Sequence, residues 1–304
     1  TTTAAAFGLL AAGMNIWAIL GAVVILGAAQ SPGAPLSDSL ALGTLGGERE
    51  TEYGRIRLWT SVGWAVASIG FGAWFEREGL GSLLPLYAVS TLAFAAVAAR
   101  FPRIAPLDVG PTGSRLGAVG AVFRSSRRFA LFMLGVALAA VATQAAWTFV
   151  PLVIATGGGG PFLVGLSAGV AAVIEIPVFA GGGALGRSVS QRALYLTGVG
   201  IYVATMLAWA LTSDPDIVAV LRATSGVGFA LVYPSLVVIT GRLVPDQLRN
   251  TGQALLGTTS RGFAPIVGSA VGGLVYTHLG ASTLFLGAAA CAAAGGAIVW
   301  FALE

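Results

Sequence analysis

A single carboxylate, Glu175, stands deep inside a long apolar run, fourteen residues after Pro161 and twelve before Arg187. An ionisable group at such a depth costs a few kcal/mol to place in hydrocarbon, so it marks a functional position by default. Such a carboxyl can load and release a proton or accept a hydrogen bond from a hydroxyl of a solute. The bland alternative is a structural carboxyl, protonated or bonded to a neighbouring helix. Asp38 follows Pro32-Gly-Ala-Pro35, which should break or kink its helix and open backbone groups to a cavity. Equally, Asp38 could sit at a helix end and neutralise Arg55 or Arg57. Arg222 lies six residues beyond Asp216 and Arg261 about ten residues into its own apolar run. The first can snorkel to a surface; the second is too deep and must face a cavity, an acid or backbone carbonyls. Gln144 and Trp147 stand one turn apart, and Trp59, Trp64 and Tyr233 either line a pathway or belong to interfacial belts.

The elements that must carry these residues are helices in lipid. The chain is 56% hydrophobic and 9% charged, with a mean hydropathy of +0.88, against roughly 25% charged residues in soluble domains. A bilayer core requires about 20 consecutive apolar residues per helix. Runs over 14–43, 53–75, 82–99, 128–155, 161–185, 193–212, 217–240, 250–277 and 281–303 meet that length, preceded by an apolar stub at 1–11. The runs are apolar all round, without the two-residue alternation of a barrel. The expected fold is therefore all-α, a polytopic transmembrane bundle of about nine full helices and a partial one. Glycine, present 44 times, suits such a bundle because small residues let helices approach closely.

All sixteen basic residues are arginine. The absence of lysine excludes a Walker A loop and a lysine Schiff base. With one histidine, His278, and one cysteine, Cys291, no zinc site of ordinary composition can form, and no cofactor is expected. The arginines fall on alternate connections: Arg49, Arg55 and Arg57; the six between Arg100 and Arg128; Arg187 and Arg192; Arg242 and Arg249. The positive-inside rule makes these connections cytoplasmic and places the C-terminus inside the cell, in a bacterial-type plasma membrane. Topology accounts for the net charge of +4, and no nucleic-acid partner is expected.

The proline- and arginine-rich stretch after Arg100 reads as a linker between two related halves. Gly72-Ala-Trp-Phe-Glu-Arg-Glu-Gly79 and Gly273-Leu-Val-Tyr-Thr-His-Leu-Gly280 repeat the same glycine spacing at an offset of 201 residues. The same offset maps the last helix onto the one before the linker. The expected organisation is an incomplete first half over 1–101, holding the end of a third helix through a sixth; a cytoplasmic linker over 102–126; and a six-helix half over 127–304. If the repeat holds, two helices and part of a third would precede Thr1.

Four strings then point to a family. Pro35-Leu-Ser-Asp38-Ser-Leu with Tyr53-Gly-Arg55-Ile-Arg57-Leu-Trp59-Thr-Ser-Val-Gly63-Trp64 resembles helices four and five of the phenylpropionate permease and lactose permease branch of the major facilitator superfamily. Glu175-Ile-Pro-Val resembles its eighth helix, and Leu248-Arg249-Asn-Thr-Gly252-Gln253-Ala254-Leu255 its eleventh. The loop Gly183-Ala-Leu-Gly186-Arg187 departs from the superfamily pattern, with Gly186 where an acid is expected. The resemblance implies that Asp38 and Arg57 bind polar groups of a solute while Glu175 approaches from the opposite half. It also implies that Gln144 and Trp147 line the pathway, and that Arg222 belongs to an arginine-glycine helix motif.

The resulting expectation is a secondary active transporter, working as a monomer and moving a small organic solute by alternating access, with a proton or sodium ion as coupling ion. A drug or metabolite efflux antiporter is the nearest rival. From other classes, an intramembrane enzyme lacks a paired-acid, metal or Ser/His/Asp set, and a non-transporting sensor on the same fold remains open.

Overall fold

The computed structural model describes residues 50–100 and 115–304, together with Gly21 and Ile25; for 50–58, 115, 116, 118, 125 and 182–187 it describes the backbone alone. The expected helix over 14–43 lies outside the described residues apart from those two positions, both helical. The described helices are α1 (Glu50–Glu78), α2 (Leu83–Ala98), α3 (Arg115–Ser125), α4 (Arg127–Thr156), α5 (Pro161–Ser188), α6 (Gln191–Ala210), α7 (Pro215–Leu243), α8 (Arg249–Thr258) and α9 (Ala264–Ala302), with a π-helical turn, Thr259–Phe263, joining α8 to α9. The protein is all-α.

Local chemistry fixes the helix starts. Ser126 accepts a bond from the Phe129 amide to open α4, Ser190 accepts from Ala193 to open α6, and Asp214 accepts from Asp216 and Ile217 to open α7. Each satisfies an amide that has no partner inside the helix. Pro215 at the first position of α7 has no amide to satisfy. Among the described residues, six segments are long and apolar enough to cross a membrane. One of them, Asp246–Ala302, runs through the π turn and a break at Gly280. A straight helix of that length would span about 85 Å, nearly three bilayer cores, so the break separates two crossings.

Gly79 and Gly280 carry the repeat noted in the sequence into backbone geometry. Their φ/ψ angles are 75°/168° and 84°/174°, a region that only glycine occupies without strain. Two positions 201 residues apart thus turn the chain in the same way.

One stretch departs from expectation. α3 lies inside the region read as a linker, and its Val122 is fully buried with Phe129 and Phe132. Eleven residues are too short for a crossing. The arginines and prolines of the region masked a helix that only its packing reveals.

By packing, the chain falls into two units: Thr1–Trp59 with Ala73–Val109, and Thr60–Gly72 with Gly110–Glu304. In the first, the Trp74 indole donates to Ser82 Oγ across the Gly79 turn. In the second, α4, α6, α7 and α9 enclose a core that includes Phe129, Phe132, Tyr195, Trp209 and Phe285. Large apolar side chains such as Leu134, Val220, Ile266, Leu274 and Phe301 point outward, as a lipid solvent allows.

Candidate functional site

The site assembles within the second unit around an interruption in helical order. Pro151, Pro177 and Pro234 sit inside α4, α5 and α7. Each lacks the amide that would bond the carbonyl four residues back, those of Trp147, Val173 and Ala230. The π turn loosens a fourth helix at Arg261, and such turns concentrate at functional sites. Backbone irregularity at membrane depth is tolerated where it lines protein or a cavity.

Glu175 lies two residues before Pro177 on α5, half-buried, and Ser61 Oγ of the 60–72 segment donates to its Oε2 at 3.4 Å. It also interacts electrostatically with Tyr202 of α6. Beside it runs a chain of aromatic rings. Trp147 of α4 meets Tyr202 edge-on at 5.8 Å and Phe229 of α7 at 6.1 Å. Phe179, one turn beyond Glu175, meets Phe229 edge-on at 6.2 Å, and Phe229 stacks on Tyr233 at 5.5 Å. Arg261 closes the row, donating from Nη2 to the Tyr233 hydroxyl at 2.8 Å with its guanidinium 5.9 Å from that ring. The arrangement offers an apolar wall of mostly edge-on rings, with Phe229 and Tyr233 stacked nearly parallel, and with a carboxylate one turn from Phe179 and a cation at the Tyr233 end. Such a wall stacks against a ring, while the charged groups orient polar substituents.

The structure brings together Glu175, Trp147, Tyr233 and Arg261 from the residues singled out in the sequence. The Cβ of Gln144 lies against Gly268 of α9. Trp59 and Trp64 are exposed. Asp38 lies outside the described residues, and of Arg57 only the helical backbone is described. Arg222 is half-buried in the α7 N-terminal half, and its Nη1 has no hydrogen-bond partner among the described residues. Ser61, Phe179, Tyr202 and Phe229 were missed. Phe179 at four residues from Glu175, and Phe229 at four from Tyr233, were the available signals, since such spacings share a helix face; Ser61 and Tyr202 meet the site only through tertiary packing.

Glycine seams set the helix positions. A methyl group on Gly135 of α4 would sit 2.6 Å from the Gly295 carbonyl oxygen of α9, and one on Gly268 would sit 2.7 Å from that of Val141. On the other flank, Gly169 of α5 faces Ile69 and Ala65, and Gly72 faces Gly165 and Pro161.

A model of the MFS_1 like family matches residues 1–287. The chain belongs to this family. The protein is an integral membrane protein of the secondary-transporter class. Among curated proteins it is similar to a maltose permease of Geobacillus stearothermophilus, with 31% identity over 297 residues that cover 93% of this chain and 71% of the permease. Among solved structures it is similar to the nucleoside transporter NupG, with a TM-score of 0.82 at 17% identity, covering all of this chain and 81% of NupG. The E. coli fucose:proton symporter FucP follows with a TM-score of 0.61 at 15% identity, covering all of this chain and 82% of FucP. These two likenesses speak for the fold; the permease and the family model speak for kinship.

Proposed function

We propose that this protein is a proton-coupled symporter that moves a small polar or aromatic organic solute across a bacterial-type plasma membrane by alternating access, with its C-terminus in the cytoplasm. The observation that carries the reading is Glu175 in the middle of α5, within hydrogen-bond reach of Ser61 and one turn from Phe179, whose ring opens the row that runs through Phe229 to Trp147 and Tyr233. A carboxylate there can exchange a proton for the company of a solute hydroxyl, coupling the two loads. The rings suit the face of a sugar or a base, and similarity to a maltose permease, a nucleoside transporter and a fucose:proton symporter supports that range. The shared turn geometry at Gly79 and Gly280 supports two related halves on either side of the 102–126 stretch. Asp38 and Arg57 complete the pathway from the first half by family resemblance.

The test is uptake in proteoliposomes under an imposed proton gradient, with maltose, fucose, nucleosides and aromatic acids as solutes. Accumulation of at least one of them, driven by the gradient, is expected for the unmodified carrier. Glu175→Gln should abolish it while preserving solute exchange at equal concentrations on the two sides. Unchanged uptake and proton stoichiometry in Glu175→Gln would return the carboxyl to a packing role. Arg57→Gln should impair uptake as well; a purely topological Arg57 would alter orientation and leave uptake of correctly inserted carrier unchanged.

A further inference from the structure

Among the described residues Arg222 forms no ion pair. Its Nη1 is sealed from solvent and has no hydrogen-bond partner among the described residues, although its residue lies within an apolar helix. A sealed N–H without a partner forgoes the hydrogen bond it makes in water, and buried polar groups without a partner call for a missing one. The neighbouring hydroxyls are engaged elsewhere: Ser225 donates to the Arg222 carbonyl, and Thr224 pairs with Thr205 at 2.6 Å.

The position relates this guanidinium to the aromatic wall. Successive helical residues turn by about 100°, so Arg222 and Phe229 point to the same side of α7 within about 20°, and Phe229 and Tyr233 within about 40°. Arg222 is thus in line with the wall, about 10 Å nearer the α7 N-terminus. The same stripe passes Gly226, which packs on the Ala171 backbone of α5 one turn before Glu175. Along this face a cation, an aromatic pair and the Arg261-bonded Tyr233 hydroxyl follow one another. A negative charge brought by the solute would supply the partner that Nη1 lacks among the described residues.

We propose that Arg222 is an anion-recognition group, taking a carboxylate or phosphate of the solute on the α7 N-terminal approach to the aromatic wall. The proposal rests on the transport reading above and names the solute class as anionic. A guanidinium binds either group through paired N–H donors.

Binding is measured without a gradient, by tryptophan fluorescence of the purified carrier, so a failure of proton coupling leaves the test intact. The probes are glucose, glucuronate and glucose 6-phosphate, and benzamide against benzoate. At least one anionic member should bind about tenfold or more tightly than its neutral counterpart, the scale of a charge-assisted contact. Arg222→Gln should erase that preference without weakening the neutral probe, and Arg222→Lys should retain part of it for phosphate. Equal binding of charged and neutral members, or no saturable binding of any anion, overturns the proposal. So does a charge preference that survives in Arg222→Gln.

Discussion

The same helix, α4, carries two regions built on opposite rules. Toward α9 it presents Gly135, so closely packed that an added methyl would collide with the Gly295 carbonyl oxygen and with Val299. Toward α6 and α7 it presents Trp147, whose ring meets Tyr202 and Phe229. In lipid there is little hydrophobic gain from bringing two apolar helices together, so association rests on contact, and the smallest residues give the closest contact. The seam holds its helices by leaving side chains out. The wall does the reverse, filling space with large rings beside Glu175 and leaving helical hydrogen bonds open at Pro151, Pro177 and Pro234. Rigidity and a place for chemistry are thus divided between two faces of one helix.

The comparison breaks most severely at the seam. Gly135→Val forces backbone apart, and because the obstacle is the Gly295 main chain rather than a flexible side-chain end, the cost should reach about 3 kcal/mol or more. Thermal unfolding of the carrier in detergent should show a large loss of stability, and an unchanged midpoint would mean that α4 and α9 are not locked here. A substitution in the wall should separate function from stability instead. Trp147→Ala removes a partly buried ring and should weaken solute binding by about 1 to 3 kcal/mol, with stability falling less than in Gly135→Val; fluorescence-independent binding by calorimetry checks this.

Smaller effects sharpen the polar edge of the wall. Tyr233→Phe deletes the hydroxyl that accepts from Arg261 and keeps the ring stack with Phe229. A charge-assisted bond of this kind is worth about 1.5 to 3 kcal/mol, so the apparent affinity of the solute should drop while folded yield is preserved. Loss of fold rather than affinity would place Arg261 in the seam's role. Ser61→Ala should have the smallest effect. Its bond to Glu175 is long at 3.4 Å, so a change below about 1 kcal/mol is expected, read as at most a few-fold shift in the initial rate of uptake. A loss as deep as that of Glu175→Gln would show that Ser61 controls the carboxyl instead of merely touching it.

The residues by themselves determined the class of fold, because hydrocarbon demands long apolar helices and tolerates little else. Starts at Ser126, Ser190 and Asp214 follow from short-range capping, which neighbours in sequence decide. The turns at Gly79 and Gly280 were legible as repeated glycines, since only glycine holds that backbone region freely. Glu175 and Arg261 were legible too, because a charge far from either end of an apolar run stands out against its surroundings. What the sequence could not decide is which faces meet. Gln144 and Trp147 share a helix and differ by three positions, yet one faces α9 and the other the aromatic wall. Ser61 and Glu175 lie 114 residues apart, and no local rule links a serine to that carboxyl. α3 hid among arginines because its burial depends on Val122 meeting Phe129 and Phe132. Helices that are apolar all round carry no stripe to announce their partners; the tertiary fit of glycine seams chose the rotations, and with them the residues that surround Glu175.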